Sequence, residues 1–224
     1  MAEFMIAVIR HWKTLDLQFD AVYSGFLGSE EQIGIVLDLI DWQKETNPAL
    51  LVVIDPVLGD HGIPYSPVSD SLIRRMGNLV EKATSITPNV TEAALLLKEP
   101  FNPNLSVEEA MKWAQRLSAL GPRYVAITSV MDGIEGIVVA YDSYNDVFAK
   151  SRQVYSPVSY PGCGDLFASI LSGQMVQGFS FVEAVEKASH LVSQAVKLSY
   201  KAGIETRLGV AVELIIPALV ESFR

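Results

Sequence analysis

Pro161-Gly162-Cys163-Gly164-Asp165, followed at once by Leu166-Phe167-Ala168-Ser169-Ile170-Leu171, sets two glycines in a tight turn, closes it with an acid and opens an apolar helical run. A turn of this kind leaves backbone N–H groups free at a helix start, where the dipole also favours an anion. A carboxylate fixed beside those groups sits next to any phosphate held there. It is placed to take the proton from a hydroxyl that attacks the phosphate. Taken alone, G-x-G-D is short, and a plain turn with an acidic first helical residue is the stronger reading. The rest of the chain shifts that balance.

Upstream of the turn, short apolar strands alternate with amphipathic helices. Met5, Val8, Ile9 and Trp12 share a helical face, and Asp20-Ala21-Val22-Tyr23-Ser24-Gly25 reads as a strand ending in a turn. Ile33, Val36, Leu37 and Ile40 recur at helical spacing, and Leu50 to Ile54 is a buried strand stopped by Asp55-Pro56. A helix is expected over about 70–82, then a short strand at Ser85-Ile86-Thr87. Asn89 with Glu92 and Ser106 with Glu109 carry capping-box spacing ahead of two further helices. Tyr124 to Thr128 is the next apolar strand, and 136–140 with 146–149 form a hairpin or meander. Helices are expected over about 165–177 and 181–201, with a last one from about Gly209 that Pro217 kinks or shortens. Continuous apolar strands between helices imply a parallel sheet covered on both faces, and no linker or repeat divides the 224 residues, so one domain, 1–224, is expected.

Composition narrows the function. Half of the residues are hydrophobic, enough for a substantial core, and the net charge is −9. An acidic surface argues against nucleic acid or an anionic membrane as the main partner. A nucleotide bound to such a chain needs local help from backbone amides and a metal. The single cysteine excludes an internal disulfide and fits a reducing compartment, and no apolar run reaches membrane-spanning length, so a cytoplasmic location is expected.

In parallel α/β sheets ligands gather beyond the carboxyl ends of the strands. Those ends carry Ser24-Gly25-Phe26, Asp55-Pro56-Val57-Leu58-Gly59-Asp60, Thr87-Pro88-Asn89-Val90-Thr91-Glu92, Thr128-Ser129 and the turn at 162–165. Each has a plain alternative. Asp55-Pro56 can simply end a strand, Asn89 and Glu92 can be a cap and its partner, Asp60 can be a turn acid, and Thr128-Ser129 is ordinary loop chemistry. His11, His61 and His190 lack metal-ligand spacing and read as surface or packing residues. Cys163 has no histidine near it in sequence to activate it as a nucleophile.

Asp-Pro-Val-Leu-Gly-Asp, Thr-Pro-Asn-x-x-Glu and Gly-x-Gly-Asp, in this order and each at a strand end, resemble the ribokinase-like superfamily and, within it, the pyridoxal (vitamin B6) kinases. The resemblance covers nearly the whole chain. It implies a three-layer α/β/α fold with a mostly parallel central sheet, and Mg²⁺-dependent transfer of the ATP γ-phosphate to the 5′-hydroxymethyl of pyridoxal, pyridoxine or pyridoxamine. By position, Asp165 is then the base, and Gly162, Cys163 and Gly164 form the anion hole. Asp60 and Glu92 lie near Mg²⁺ and the phosphates, while Asn89, Ser129 and Tyr65 contact ATP. Asp55, Thr87 and Thr128 match a K⁺ or Na⁺ site, and Ser24, Gly25 and Phe26 lie under the substrate. A homodimer is implied as well.

Two departures accompany the resemblance. Cys163 stands where the family usually has threonine. The family also begins with a strand bearing a substrate-binding serine and continues through a threonine-bearing lid region, before the helix that matches Met1 to Lys13. Without those parts the vitamin pocket is expected to be incomplete, whether the chain is a piece of a longer protein or a truncated homologue. The alternatives left open are a hydroxymethylpyrimidine kinase of the thiamine pathway, which tends to carry cysteine at the position of Asp165, a sugar or nucleoside kinase on the same fold, and an inactive nucleotide- or B6-binding protein.

Overall fold

Val52, Val53 and Ile54 are all fully buried, yet they serve two different cores. Successive side chains of a strand point to opposite faces, so a strand apolar at every position must be covered on both sides. A computed structural model describes residues 1–153, 158 and 160–222 of the chain and shows this arrangement. β1 (Ala21–Ser24), β2 (Leu51–Ile54), β5 (Ser85–Ile86), β6 (Tyr124–Asp132), β7 (Glu135–Asp142) and β8 (Val147–Gln153) form one sheet in that spatial order. β1, β2, β5 and β6 run parallel, and β6, β7 and β8 form an antiparallel meander.

On one face lie α2 (Glu30–Thr46), α3 (Asp70–Lys82), α4 (Val90–Leu97) and α5 (Val107–Ser118). They cover Val52, Ile54, Val125 and Ile127, together with alternate residues of β7. On the other face α6 (Cys163–Val176) and α7 (Phe181–Lys201) cover Val53, Ala126, Val138 and Ala140. α1 (Ala2–Thr14) packs outside α2, with the expected face of Met5, Val8, Ile9 and Trp12 only half-buried. The three-layer expectation holds.

Helix starts follow local chemistry. Ser29 and Ser69 accept from Gln32 N and Leu72 N, and Ser106 and Ser180 form full capping boxes with Glu109 and Glu183. Two expectations need correction, and one element went unread. β6 continues past Thr128 to Asp132 through an irregularity between Ile127 and Val130, where Ser129 takes a left-handed φ of 62°. The last helix does not begin at Gly209. Val212–Ile215 is a 3₁₀ turn, and α8 (Ile216–Ser222) starts with Pro217 in its first turn, where a missing N–H costs nothing. Finally, β3 (Gly59–Asp60) and β4 (Ile63–Pro64) form a small antiparallel ribbon that the sequence reading passed over. Its two-residue loop has φ 50° at His61 and 77° at Gly62, the left-handed pair that a tight hairpin needs.

Candidate functional site

A cleft of about 930 Å³ runs along the carboxyl ends of the parallel strands. Twelve of the fifteen residues picked out in the sequence line it: Asp55, Asp60, Tyr65, Thr87, Asn89, Glu92, Thr128, Ser129 and the turn residues Gly162, Cys163, Gly164 and Asp165. Ser24, Gly25 and Phe26 do not line it. Ser24 is buried and its carbonyl accepts from Asp55 N at 2.8 Å, which ties the end of β1 to the end of β2, while Phe26 is exposed.

The turn begins α6. Gly162 is its N-cap with φ 87°, a left-handed conformation that a side chain would strain, and no side chain caps this helix. The N–H groups of Cys163, Gly164 and Asp165 therefore have no intrahelical acceptor, and Leu166 N makes the first helical bond, to Gly162 O. Downstream, Val210 N donates to Pro161 O at 3.0 Å and straps the turn in place. Asp165 stands at the third position of the helix, where the dipole favours an acid.

Opposite, α4 starts with a complete capping box. Glu92 N donates to Asn89 Oδ1 at 2.9 Å, and Asn89 N donates to Glu92 Oε2 at 2.7 Å. Glu92 Oε1 accepts from Leu58 N at 3.2 Å, and Asn89 Nδ2 donates to Gly59 O at 2.8 Å. This pair anchors the segment from Asp55 to Gly59. Burial, followed by the charge of Asp55, pushes the Glu92 carboxyl well above its ordinary range against the pull of those two backbone donors.

Asp55 is buried and accepts from Thr87 Oγ1 at 3.1 Å. Burial, opposed by that hydrogen bond and reinforced by Asp165, raises it to about 7. Thr128 N donates to Pro88 O, which ties β6, at its irregularity, to the segment that follows β5. Asp60 is half-exposed, accepts from His61 N at 2.8 Å and lies 3.5 Å from the His61 ring, so it is a turn acid as well as a cleft residue. Tyr65 is raised by partial burial and then by Asp60, Glu92, Asp55 and Asp165, which places its phenol among four acids.

These acids give the cleft a hard, oxygen-rich lining suited to a cation. Among the described residues no three His, Cys, Asp or Glu side chains converge into a cage. Cys163 is pushed up to about 11 by burial, against a backbone donor from Tyr160, so its thiol stays protonated and unreactive at neutral pH. His11, His61 and His190 are all exposed, as expected.

Sequence reading missed two parts of the site. The far end of the cleft is lined by Met131, Ile134, Val192 and Val196 with Thr206 and Arg207, drawn from a hairpin, α7 and a 3₁₀ turn whose convergence no local pattern announces. Tyr23 is the other. Its Oη donates to Asp165 Oδ1 at 3.2 Å across 142 positions of sequence. Only the alternation of β1, which turns Val22 to one core and Tyr23 to the opposite face, hints at it.

A mostly parallel sheet between two helical layers, with an open helix start and acids along the strand ends, defines a ribokinase-like α/β/α protein. The family model described as phosphomethylpyrimidine kinase matches residues 3–209, and the chain belongs to that family. It is similar to the pyridoxine/pyridoxal/pyridoxamine kinase of Bordetella avium, 31% identical over 205 residues that cover 88% of this chain and 64% of that protein. The chain thus spans slightly less than two thirds of that relative's length. Among solved structures, a phosphomethylpyrimidine kinase homologue from Bacteroides thetaiotaomicron, 37% identical, superposes with a TM-score of 0.93 over 97% of this chain and 75% of its own, and a second crystal form of it contains pyridoxal. The pyridoxal kinase of Lactobacillus plantarum, 25% identical, gives 0.88 over 98% of this chain and 77% of its own.

Proposed function

We propose that the chain, residues 1–224 taken as one kinase domain, catalyses transfer of the ATP γ-phosphate to the 5′-hydroxymethyl of a B6 vitamer. The observation that carries this is Asp165, a carboxylate at the third position of a helix whose first amides are left open by Gly162, on a cleft rimmed by further acids. In this reading the Cys163, Gly164 and Asp165 amides hold the transferring phosphoryl oxygens. The Asp165 carboxylate takes the hydroxyl proton as the oxygen attacks phosphorus, and ADP leaves. Asn89, Ser129 and Tyr65 contact the nucleotide, and the apolar far end around Val192 and Val196 receives its flat base. Asp60 and Glu92 would hold Mg²⁺ with the phosphates, and the ion would neutralise charge on the β- and γ-oxygens. Asp55, Thr87 and Thr128 would hold K⁺ or Na⁺. Gly25, close to Asp165, lies on the substrate side with Ser24 and Phe26. The names of the relatives, and the pyridoxal in one of them, support the vitamer over other alcohols. We further read the protein as cytoplasmic, in keeping with its single cysteine, and, from the family resemblance, as a homodimer.

The test is direct. Incubation with Mg·ATP and pyridoxal should yield pyridoxal 5′-phosphate and ADP in equal amounts, at a rate well above that with hydroxymethylpyrimidine. Preferred phosphorylation of the pyrimidine would move the protein to the thiamine pathway. Nucleotide binding without transfer to either alcohol would make it a binding protein.

A further inference from the structure

Among the described residues, four helices carry an acid at their third position. Glu92, Glu109 and Glu183 each fold back onto the backbone N–H of the helix cap and are fixed by it. Asp165 is the exception. Its cap residue is Gly162, the acid makes no capping box, and among the described residues the one hydrogen-bond partner of its carboxylate is Tyr23 Oη. We propose that Tyr23 is a positioning residue for Asp165, holding one carboxylate oxygen so that the other is left for the substrate hydroxyl. This rests on the reading of Asp165 as the base.

The contact is built from both sides. β1 packs against α6, and its alternation sends Tyr23 to the α6 face while Val22 enters the opposite core. Gly25, two residues on, allows the close approach. A Cβ there would lie 3.1 Å from Tyr23 Oη and 3.3 Å from Asp165 Oδ1. Burial and then the charges of Asp55 and Asp165 push the phenol well above its ordinary range, so it stays protonated and can only donate to the carboxylate. Without it, the Asp165 side chain is free to leave its productive rotamer, and such misplacement costs turnover rather than binding.

Tyr23→Phe removes one oxygen from a residue that is 36% exposed, so it leaves no buried void. Its kcat should fall by about tenfold or more, with KM for ATP and pyridoxal within about twofold and an unchanged melting temperature. In an Asp165→Asn background the same change should have no further effect, because groups that act as a unit are not additive. Parental kcat in Tyr23→Phe, beside an inactive Asp165→Asn, overturns the positioning role and leaves the base intact. An equal loss in both backgrounds also overturns it, since Tyr23 would then act without Asp165. An active Asp165→Asn enzyme overturns the base assignment itself.

Discussion

Two helix starts face each other across the cleft, and they are made in opposite ways. α4 is closed: Asn89 and Glu92 satisfy each other's backbone, and their remaining atoms hold Leu58 and Gly59. α6 is open: Gly162 provides no side chain, and the first amides are left without a helical partner. The two starts are equally favourable to an anion by their dipoles. What separates them is whether the sequence provides an internal acceptor. At α4 the buried carboxyl of Glu92 already accepts from the cap, whereas at α6 no side chain does. A helix start on a cleft is thus informative when its cap is withheld.

The largest effect should come from the open end. Asp165→Asn should lower phosphoryl transfer by about 10²–10⁴-fold while ATP affinity stays within a few-fold, because a general base acts in the transition state. Steady-state turnover with direct nucleotide binding checks this, and retention of a tenth of the activity would remove Asp165 from the role. At the closed end, Glu92→Ala should show first as lost stability, roughly 2–4 kcal/mol by denaturant unfolding, since the Leu58 and Asn89 N–H groups both lose their acceptor. A raised Mg²⁺ requirement should accompany it, as it should for Asp60→Ala. Unchanged magnesium titrations in both variants would place these acids outside the metal site.

Gly162→Ala sharpens the contrast in the other direction. Its φ of 87° makes any side chain costly, about 1–2 kcal/mol, and the shift of the turn should weaken nucleotide binding as well. A variant with full stability and affinity would mean that the open end does not depend on this glycine. Cys163→Thr should change least, with activity at or above the parent's, because the proposed cradle would work through amides and burial keeps the thiol protonated. A covalent thiol-linked intermediate trapped in the parent would contradict that.

Much of this was legible locally. Helix 70–82 coincides with α3, and both capping boxes read from spacing, Asn89 with Glu92 and Ser106 with Glu109, are present. Caps and amphipathic periods involve residues within one turn of each other, so the chain states them outright. The cleft was legible because apolar strands stop where polar residues begin. The ribbon at 59–64 was not, since two-residue strands carry no period. The end of the chain was misread because helical composition from Gly209 onward is overridden by the 3₁₀ turn at Val212–Ile215 and by Pro217, which belongs at a helix start. Tyr23 against Asp165 was beyond reach, being a contact between the first strand and the sixth helix.

The sheet's strands lie side by side in the order in which they occur in the chain, and this has a bearing on biosynthesis. Each strand emerging from the ribosome can pair with the one before it, and the layer of α2 to α5 can close as it is made. The opposite side must wait. Val53 and Ala126 are covered only when α6 and α7 arrive. The 142 residues between Tyr23 and Asp165 correspond to roughly seven to thirty seconds of translation. Until then the residues of that face already made, Val53 first and Ala126 later, have no helical layer to cover them. The start of α6, proposed here as a phosphate cradle, is therefore made only after every strand of the sheet.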